Sequence, residues 1–275
     1  MRYLNRYKIF ALALKYGIKN YKVVNGLVNV NGNVNLMMMK KLKKLPIKFG
    51  EVTGSFRCEY NELVTLEGAP NKVGGGFHCQ YNALDTLEGG PSEVGGDFNC
   101  SHNQLTTLKG CPSEIGGDFN CYKNDLAILL GGPKEVVGNF ECGFNELISL
   151  EGAPRKINGS FKCDHNKITT LVGMPDRIGG DFNFSRNPVN DLEGYTSVSG
   201  DIRSWDTPIY PIIAIFITDR DDKDSLIELF NDTDIIRGDE IILDRLIWFY
   251  EEIGVVGIER INFPLIKKFY KIISD

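Results

Sequence analysis

The chain has 275 residues, 42% of them hydrophobic, with 30 glycines and a formal net charge of −5. That length holds one elongated domain and a small appendage. The hydrophobic content is that of a soluble protein, and no segment approaches the roughly 20 apolar residues of a membrane span, so a transmembrane class is excluded.

Residues 1 to 50 hold 11 Lys or Arg and no Asp or Glu, so they carry +11 and leave −16 on the remainder. Two readings of that imbalance stay open. One is a basic cap lying against an acidic body; the other is a patch at Lys40-Lys41-Leu42-Lys43-Lys44 for nucleic acid or an acidic partner. The patch lacks the interleaved aromatics of a single-strand binder. Residues 2 to 17 read as a helix ending near Gly17, apolar around its whole circumference, and so as a cap packed on the first repeat. Its uninterrupted apolar run, Ile9 to Leu14, is too short for a signal peptide and no small-residue cleavage site follows. Residues 21 to 36 alternate Val28, Val30, Val34 and Leu36 against Asn29, Asn31, Asn33 and Asn35, which reads as strand, with Asn31-Gly32 as a hairpin turn. Residues 37 to 54 form a degenerate repeat, with Leu42, Leu45 and Val52 where regular copies place Leu63, Leu66 and Val73.

From about residue 54 to 194 a phenylalanine recurs every 21 residues, at Phe56, Phe77, Phe98, Phe119, Phe140, Phe161 and Phe182. Cysteine follows two residues later from Cys58 to Cys163, with Phe184 in the last copy. Asparagine follows at five, from Asn61 to Asn187 in all copies, and aliphatic residues follow at seven and ten. A fixed period of this length marks one supersecondary unit stacked as a solenoid. Phe and Cys alternate with polar residues, so they mark the inward face of a short strand. Asn can bond neighbouring backbone through both its donor and its acceptor, so stacked copies form a ladder. Glycines such as Gly68 and Gly89 suit a turn, prolines such as Pro70 and Pro91 stiffen the return arc, and Val-Gly-Gly steps bend the chain toward the next strand. A shortened copy ends at Gly200-Asp201-Ile202.

The pattern L-x-x-N-x-L-x-x-L resembles the leucine-rich-repeat signature, with Phe and Cys in place of its first two leucines. Together with Val28 to Leu36 and Leu45 to Gly50, the repeat body is similar to a family of short leucine-rich-repeat-like proteins of tailed bacteriophages, over about residues 20 to 205. The resemblance implies an α/β solenoid with a parallel concave sheet, an N-terminal helix and strand cap and a C-terminal helical cap. It implies a phage-encoded protein in the cytoplasm of a bacterial host, and it is silent on activity. The expected division is residues 1–53 as cap and degenerate repeat, 54–206 as solenoid and 207–275 as helical cap.

In the tail, Pro211 opens an apolar segment to Phe216. Ser225 and Glu228 read as a capping box for a helix bearing Leu226, Leu229 and Phe230. Asp239 reads as the cap of a helix with Ile242, Leu246, Phe249 and Ile253 on one stripe, closed by Gly254. Asn262 and Pro264 open a last helix carrying Ile266, Phe269 and Ile273.

Catalytic chemistry has little support in the sequence. His102 and His165 share a column three repeats apart, roughly 14 Å at strand spacing, too far to share a metal. No cysteine follows Cys163, which excludes the C-terminal ubiquitin-ligase chemistry that some bacterial leucine-rich-repeat effectors carry. The acidic run Asp219 to Asp224 lacks the Gly and Glu of a calcium loop. No C-x-x-C pair occurs, so the cysteines read as buried hydrophobes in a reducing compartment, and no catalytic residue, metal or cofactor is expected. The expected function is a protein-interaction module binding a host or phage protein. The alternatives are a virion assembly component and a nucleic-acid-associated protein. The expected binding residues lie on the polar strand face and the column beside it: Arg57, Tyr60, His78, Tyr81, His102, Asn120, Tyr122, Lys123, Phe144, Lys162 and His165. Aromatic, His and cationic residues are the types that dominate interfaces.

Overall fold

A computed structural model of the chain describes residues 2–39, 42–217, 222–255 and 261–274, with side chains from residue 7 onward. Each 21-residue copy is one turn of a β-solenoid and contributes two strands of two residues, such as Phe77–His78 and Glu93–Val94. The Phe strands form a 9-stranded sheet, and the Val or Ile strands belong to a 10-stranded one. Register follows the repeat in both sheets: Phe77 pairs in parallel with Phe98, and Val73 with Val94. The second sheet corrects the reading of Val-Gly-Gly as a bend alone. Its two residues, confined between Pro and Gly-Gly, are too few for alternation to reveal, and their partners lie a whole turn away.

Phe and Cys from one sheet, Val or Ile from the other, and the two aliphatic columns fill the interior, all buried. Neighbouring Phe rings from Phe56 to Phe182 lie 5.2–5.6 Å apart. Burying one such side chain is worth about 1.5–3 kcal/mol, so the column is a main source of stability. The Asn column supplies the polar stitching. Asn103 donates from Nδ2 to Cys100 O in its own turn at 3.0 Å and to Cys79 O in the preceding turn at 3.1 Å, while its Oδ1 accepts from Leu84 N at 3.1 Å. Glycine at Gly110 is dictated twice: φ is +93°, and a Cβ there would sit 2.4 Å from the Leu87 carbonyl carbon of the turn below.

Helix α1 (Arg2–Lys15) precedes a hairpin, Tyr21–Val24 with Leu27–Val30, that ends the 10-stranded sheet. The hairpin turn is Asn25-Gly26, both residues left-handed at φ +50° and +81°, which fits a type I′ turn. Asn31-Gly32, the turn expected from the alternation, is instead the corner leading to Val34–Asn35 in the other sheet. Leu27–Val30 pairs in parallel with Phe49–Val52, so that strand already follows the coil and cannot fold back at Gly32. Leu45 and Val52 are buried and Val52 pairs with Val73, as the degenerate repeat requires.

The C-terminal unit is less helical than expected. It holds α2 (Tyr210–Ile217), α3 (Lys223–Asp232), α4 (Leu243–Glu252), the short α5 (Phe263–Ile266) and a sheet of Ile236–Arg237, Glu240–Ile242 and Lys271–Ile273. Asp239 lies in the turn between two of these strands rather than capping a helix, because Ile241 and Ile242 are β-branched and pair before α4 begins. Ile273 is likewise strand. Ser225 lies inside α3, which starts two residues earlier with Asp222 at its N-cap. Asn262 does cap α5, accepting from Leu265 N at 3.1 Å. Asp224 ties the unit to the last turns by accepting from Tyr195 Oη at 2.5 Å and Ser197 Oγ at 2.9 Å. The acidic run lies partly outside the described residues, as does Lys40-Lys41.

Candidate interaction surface

Four residues after each strand Phe, the chain turns a corner through the left-handed region. Tyr60, Tyr81, His102, Lys123, Phe144, His165 and Arg186 all have φ between +53° and +56°. The corner is imposed by its bonds: Tyr81 N donates to Ser101 O of the next turn at 3.1 Å, and Asn82 then folds its amide back onto Cys79 O. A non-glycine residue there costs about 1 kcal/mol or more. Gly would avoid that cost, yet the chain places four large rings or imidazoles beyond the two cations and first tyrosine. Strain kept in this way, column-wide, points to use of the side chains.

Those side chains stack on one another. Tyr60 and Tyr81 lie 4.5 Å apart at 10°, Tyr81 and His102 4.1 Å apart at 12°, and Phe144 and His165 3.8 Å apart at 21°. Where Lys123 interrupts the column, Tyr122 from the preceding position bridges His102 at 5.6 Å and Phe144 at 5.1 Å. Arg186 continues the ridge, with its guanidinium carbon 4.5 Å from the Trp205 ring centroid. Met38, also left-handed and exposed, occupies the corresponding corner before Tyr60. Because ring faces are spent on neighbours, the ridge offers ring edges to solvent. That suits packing against a shaped apolar surface and leaves little room for intercalating bases.

Polar bonds fix the histidines. Arg186 can only donate, so His165 Nε2 accepts from it at 2.6 Å, and His165 Nδ1 then donates to Asp164 at 2.8 Å. His102 Nε2 lies 3.1 Å from Tyr81 Oη. Burial lowers the pKa of His102 below the ordinary imidazole value, with Lys123 adding to the shift; burial also lowers His78. Both are therefore neutral at pH 7.

The polar strand face is less available than its alternation implies. Glu59, Ser101 and Ser185, polar residues that the alternation with Phe and Cys (or Phe184) sets on the outer face, are buried. Arg57 is occupied by Glu59, 2.5 Å away, and Lys162 by Glu141 at 2.6 Å. Asn120 donates to Glu141 at 2.8 Å and accepts from Tyr122 N at 2.9 Å. Of the expected binding residues, Arg57, Tyr60, Tyr81, Lys123 and Phe144 are exposed, and His78, His102, Asn120, Tyr122, Lys162 and His165 are partly buried. The corner column is thus brought together as a surface, while Arg57, Asn120 and Lys162 serve the sheet. Met38 and Trp205 escaped the sequence reading because their turns have 22 and 20 residues: Val34 pairs with Phe56 and Phe182 with Ile202, which breaks the count of 21.

Among the described residues no group of His, Cys, Asp and Glu could hold a metal ion, and no helix is long and apolar enough to cross a membrane. A hollow of about 750 Å³ opens in the C-terminal unit between Leu243, Phe263, Lys267 and Tyr270. Comparison of the chain with protein-family models, with curated proteins and with solved structures finds no match.

Proposed function

We propose that the chain is a non-catalytic protein-interaction module whose partner seats on the aromatic ridge from Tyr60 to Trp205. The observation that carries this reading is the column of left-handed, non-glycine corners whose rings stack along the solenoid. A rigid repeat scaffold presents such a ridge at little ordering cost, and aromatic and Arg side chains are the ones that dominate interface energetics. The histidines support a binding role, since their ring nitrogens are engaged in the ridge itself. The resemblance of the repeat to phage proteins suggests a phage-encoded molecule that binds, and inhibits, a bacterial host or defence protein. The six buried, unpaired column cysteines fit the reducing cytoplasm that this reading needs.

The test is affinity capture from infected and uninfected bacterial lysates, with wild type beside a Tyr81→Gly, Phe144→Gly variant. Glycine removes the rings while relieving the left-handed corners, so the variant should stay folded. A partner recovered by wild type and lost by the variant is the expected result. Recovery of the same partner by both would reject the ridge as the binding surface.

A further inference from the structure

The end cap carries an apolar face that the fold leaves uncovered. Ile9, Leu12 and Ala13 of α1, with Tyr16 just after it, pack on the core, and Ala13 is fully enclosed. On the opposite side of the same helix Tyr7, Phe10 and Leu14 are 75%, 61% and 73% exposed. At 3.6 residues per turn these three fall within about 60° of arc, so they form one outward stripe. The helix expected to pack on the first repeat as a cap, apolar around its circumference, thus packs on one side and leaves the other uncovered.

The charged residues on α1 and just after it in the chain are all basic. Lys8 and Lys15 on α1, and Lys19 and Lys22 just after it, are exposed. The first acidic residue in the chain is Glu51. A short helix with an aromatic and leucine stripe flanked by lysines is the pattern of a helix that lies in a lipid interface, where tyrosine also favours the headgroup level.

We propose that α1 docks the solenoid end-on to an anionic lipid surface, with Tyr7, Phe10 and Leu14 entering the interface and the lysines pairing with headgroup phosphates. Charge complementarity selects this occupant. A second copy related by a two-fold axis would set lysines against lysines, which disfavours a homodimer through this face. Three side chains on a 14-residue helix also offer far less than the area of about 1,200–2,000 Å² that a stable protein interface buries, whereas lipid needs no matching shape. The polarity of the molecule agrees. α1 leads into the strand that ends the 10-stranded sheet, so the sheet recedes from α1 over about 40 Å at a strand spacing near 4.8 Å. Most of the −16 carried beyond residue 50 then lies farther from the surface than the Debye length of about 8 Å at physiological salt.

Vesicle flotation of the full chain tests the proposal, using phosphatidylcholine vesicles with and without phosphatidylglycerol. Wild type should float with the anionic vesicles and not with the neutral ones. The exposed-stripe variant Phe10→Ser, Leu14→Ser should lose at least about tenfold in partitioning at an unchanged melting temperature, and Lys8→Glu, Lys15→Glu should lose as much. In a Tyr7→Trp variant, emission should move to shorter wavelength on adding anionic vesicles, which reports insertion in a protein that is still folded. Absence of flotation with anionic vesicles overturns the proposal. So does flotation that salt abolishes and the stripe variant leaves intact, since that is adsorption of charge alone. If the stripe variant instead loses a captured protein while wild type ignores vesicles, the stripe is a protein interface and the lipid reading is wrong. The ridge is untouched by these variants, so its partner binding stands or falls separately.

Discussion

Glu59 is fully enclosed, and its charge is answered by Arg57, whose guanidinium is half exposed. Its Oε1 accepts from Arg57 while Oε2 has no partner among the described atoms. Removing one member of a buried pair leaves an uncompensated charge, a larger loss than the pair's own worth. Arg57→Ala should therefore destabilise the fold by about 2–3 kcal/mol, less than a wholly buried pair because water reaches Arg57. Adding Glu59→Gln to that variant should recover most of the loss in a denaturant titration. An unchanged midpoint for Arg57→Ala alone would show that the carboxylate does not depend on the guanidinium. Alternation along the strand assigned both residues to the outer face; Arg57 is exposed there, whereas Glu59, three residues after the strand Phe, is enclosed, as are Ser101 and Ser185 at the same place in later turns.

The cysteines follow the same logic with the opposite chemistry. Burial pushes the thiols of Cys58, Cys100, Cys142 and Cys163 well above their ordinary value, with smaller contributions from neighbouring thiols and carboxylates. Since the thiolate is the reactive form, these groups are inert in the folded state. Thiol titration of native protein at pH 8 should proceed slowly and first at Cys111, the only one of the 7 cysteines not fully enclosed. All should react after unfolding. Rapid native labelling of two or more thiols would show that the turns open far more readily than their packing implies.

At the scale of elements, the Asn column carries the stitching between turns. Asn124, buried, donates to Cys121 O at 3.0 Å and Cys100 O at 3.2 Å and accepts from Leu105 N at 3.0 Å. Asn124→Ala or Asn103→Ala strands one backbone N–H, that of Leu105 or Leu84, and takes one of two amide donors from each of two carbonyls; it should cost about 1–3 kcal/mol, read as a lower denaturant midpoint. Midpoints equal to wild type for both would mean that water replaces the amide. This ladder, the Phe strand and the inward aliphatic columns were legible because each repeats its own chemistry every 21 residues. The other sheet was not, because two residues beside Gly-Gly have no internal pattern and their identity as strand resides in partners a turn away. The hairpin was misplaced for a related reason: Asn25-Gly26 and Asn31-Gly32 are equally good turns locally, and only pairing with Phe49–Val52 decides between them. In the tail, Ile242 and Ile273 fit helical stripes as spaced, but their branching favours the strands they form.

Across the whole molecule the ridge is a line of side chains on a stiff support, and for the partner proposed above that stiffness makes binding separable by position. Tyr81 and Phe144 stand three turns apart, about 14 Å at strand spacing, beyond the range at which substitutions usually couple. Tyr81→Gly and Phe144→Gly should each change the melting temperature little. The relief of a left-handed corner, about 1 kcal/mol, offsets the loss of stacking worth about 0.5–1.5 kcal/mol. A partner that lies along the ridge should lose affinity in both, by more than about 2 kcal/mol together, and the double variant should equal the sum of the singles within about 0.5 kcal/mol. A partner held at one end only would respond to one variant and ignore the other. A partner held by the C-terminal unit would ignore both and respond to Trp248→Ala, which removes an exposed ring on α4. Calorimetric titration of the four variants against the captured protein distinguishes these cases, and only the additive pattern agrees with a ligand that runs the length of the stacked column.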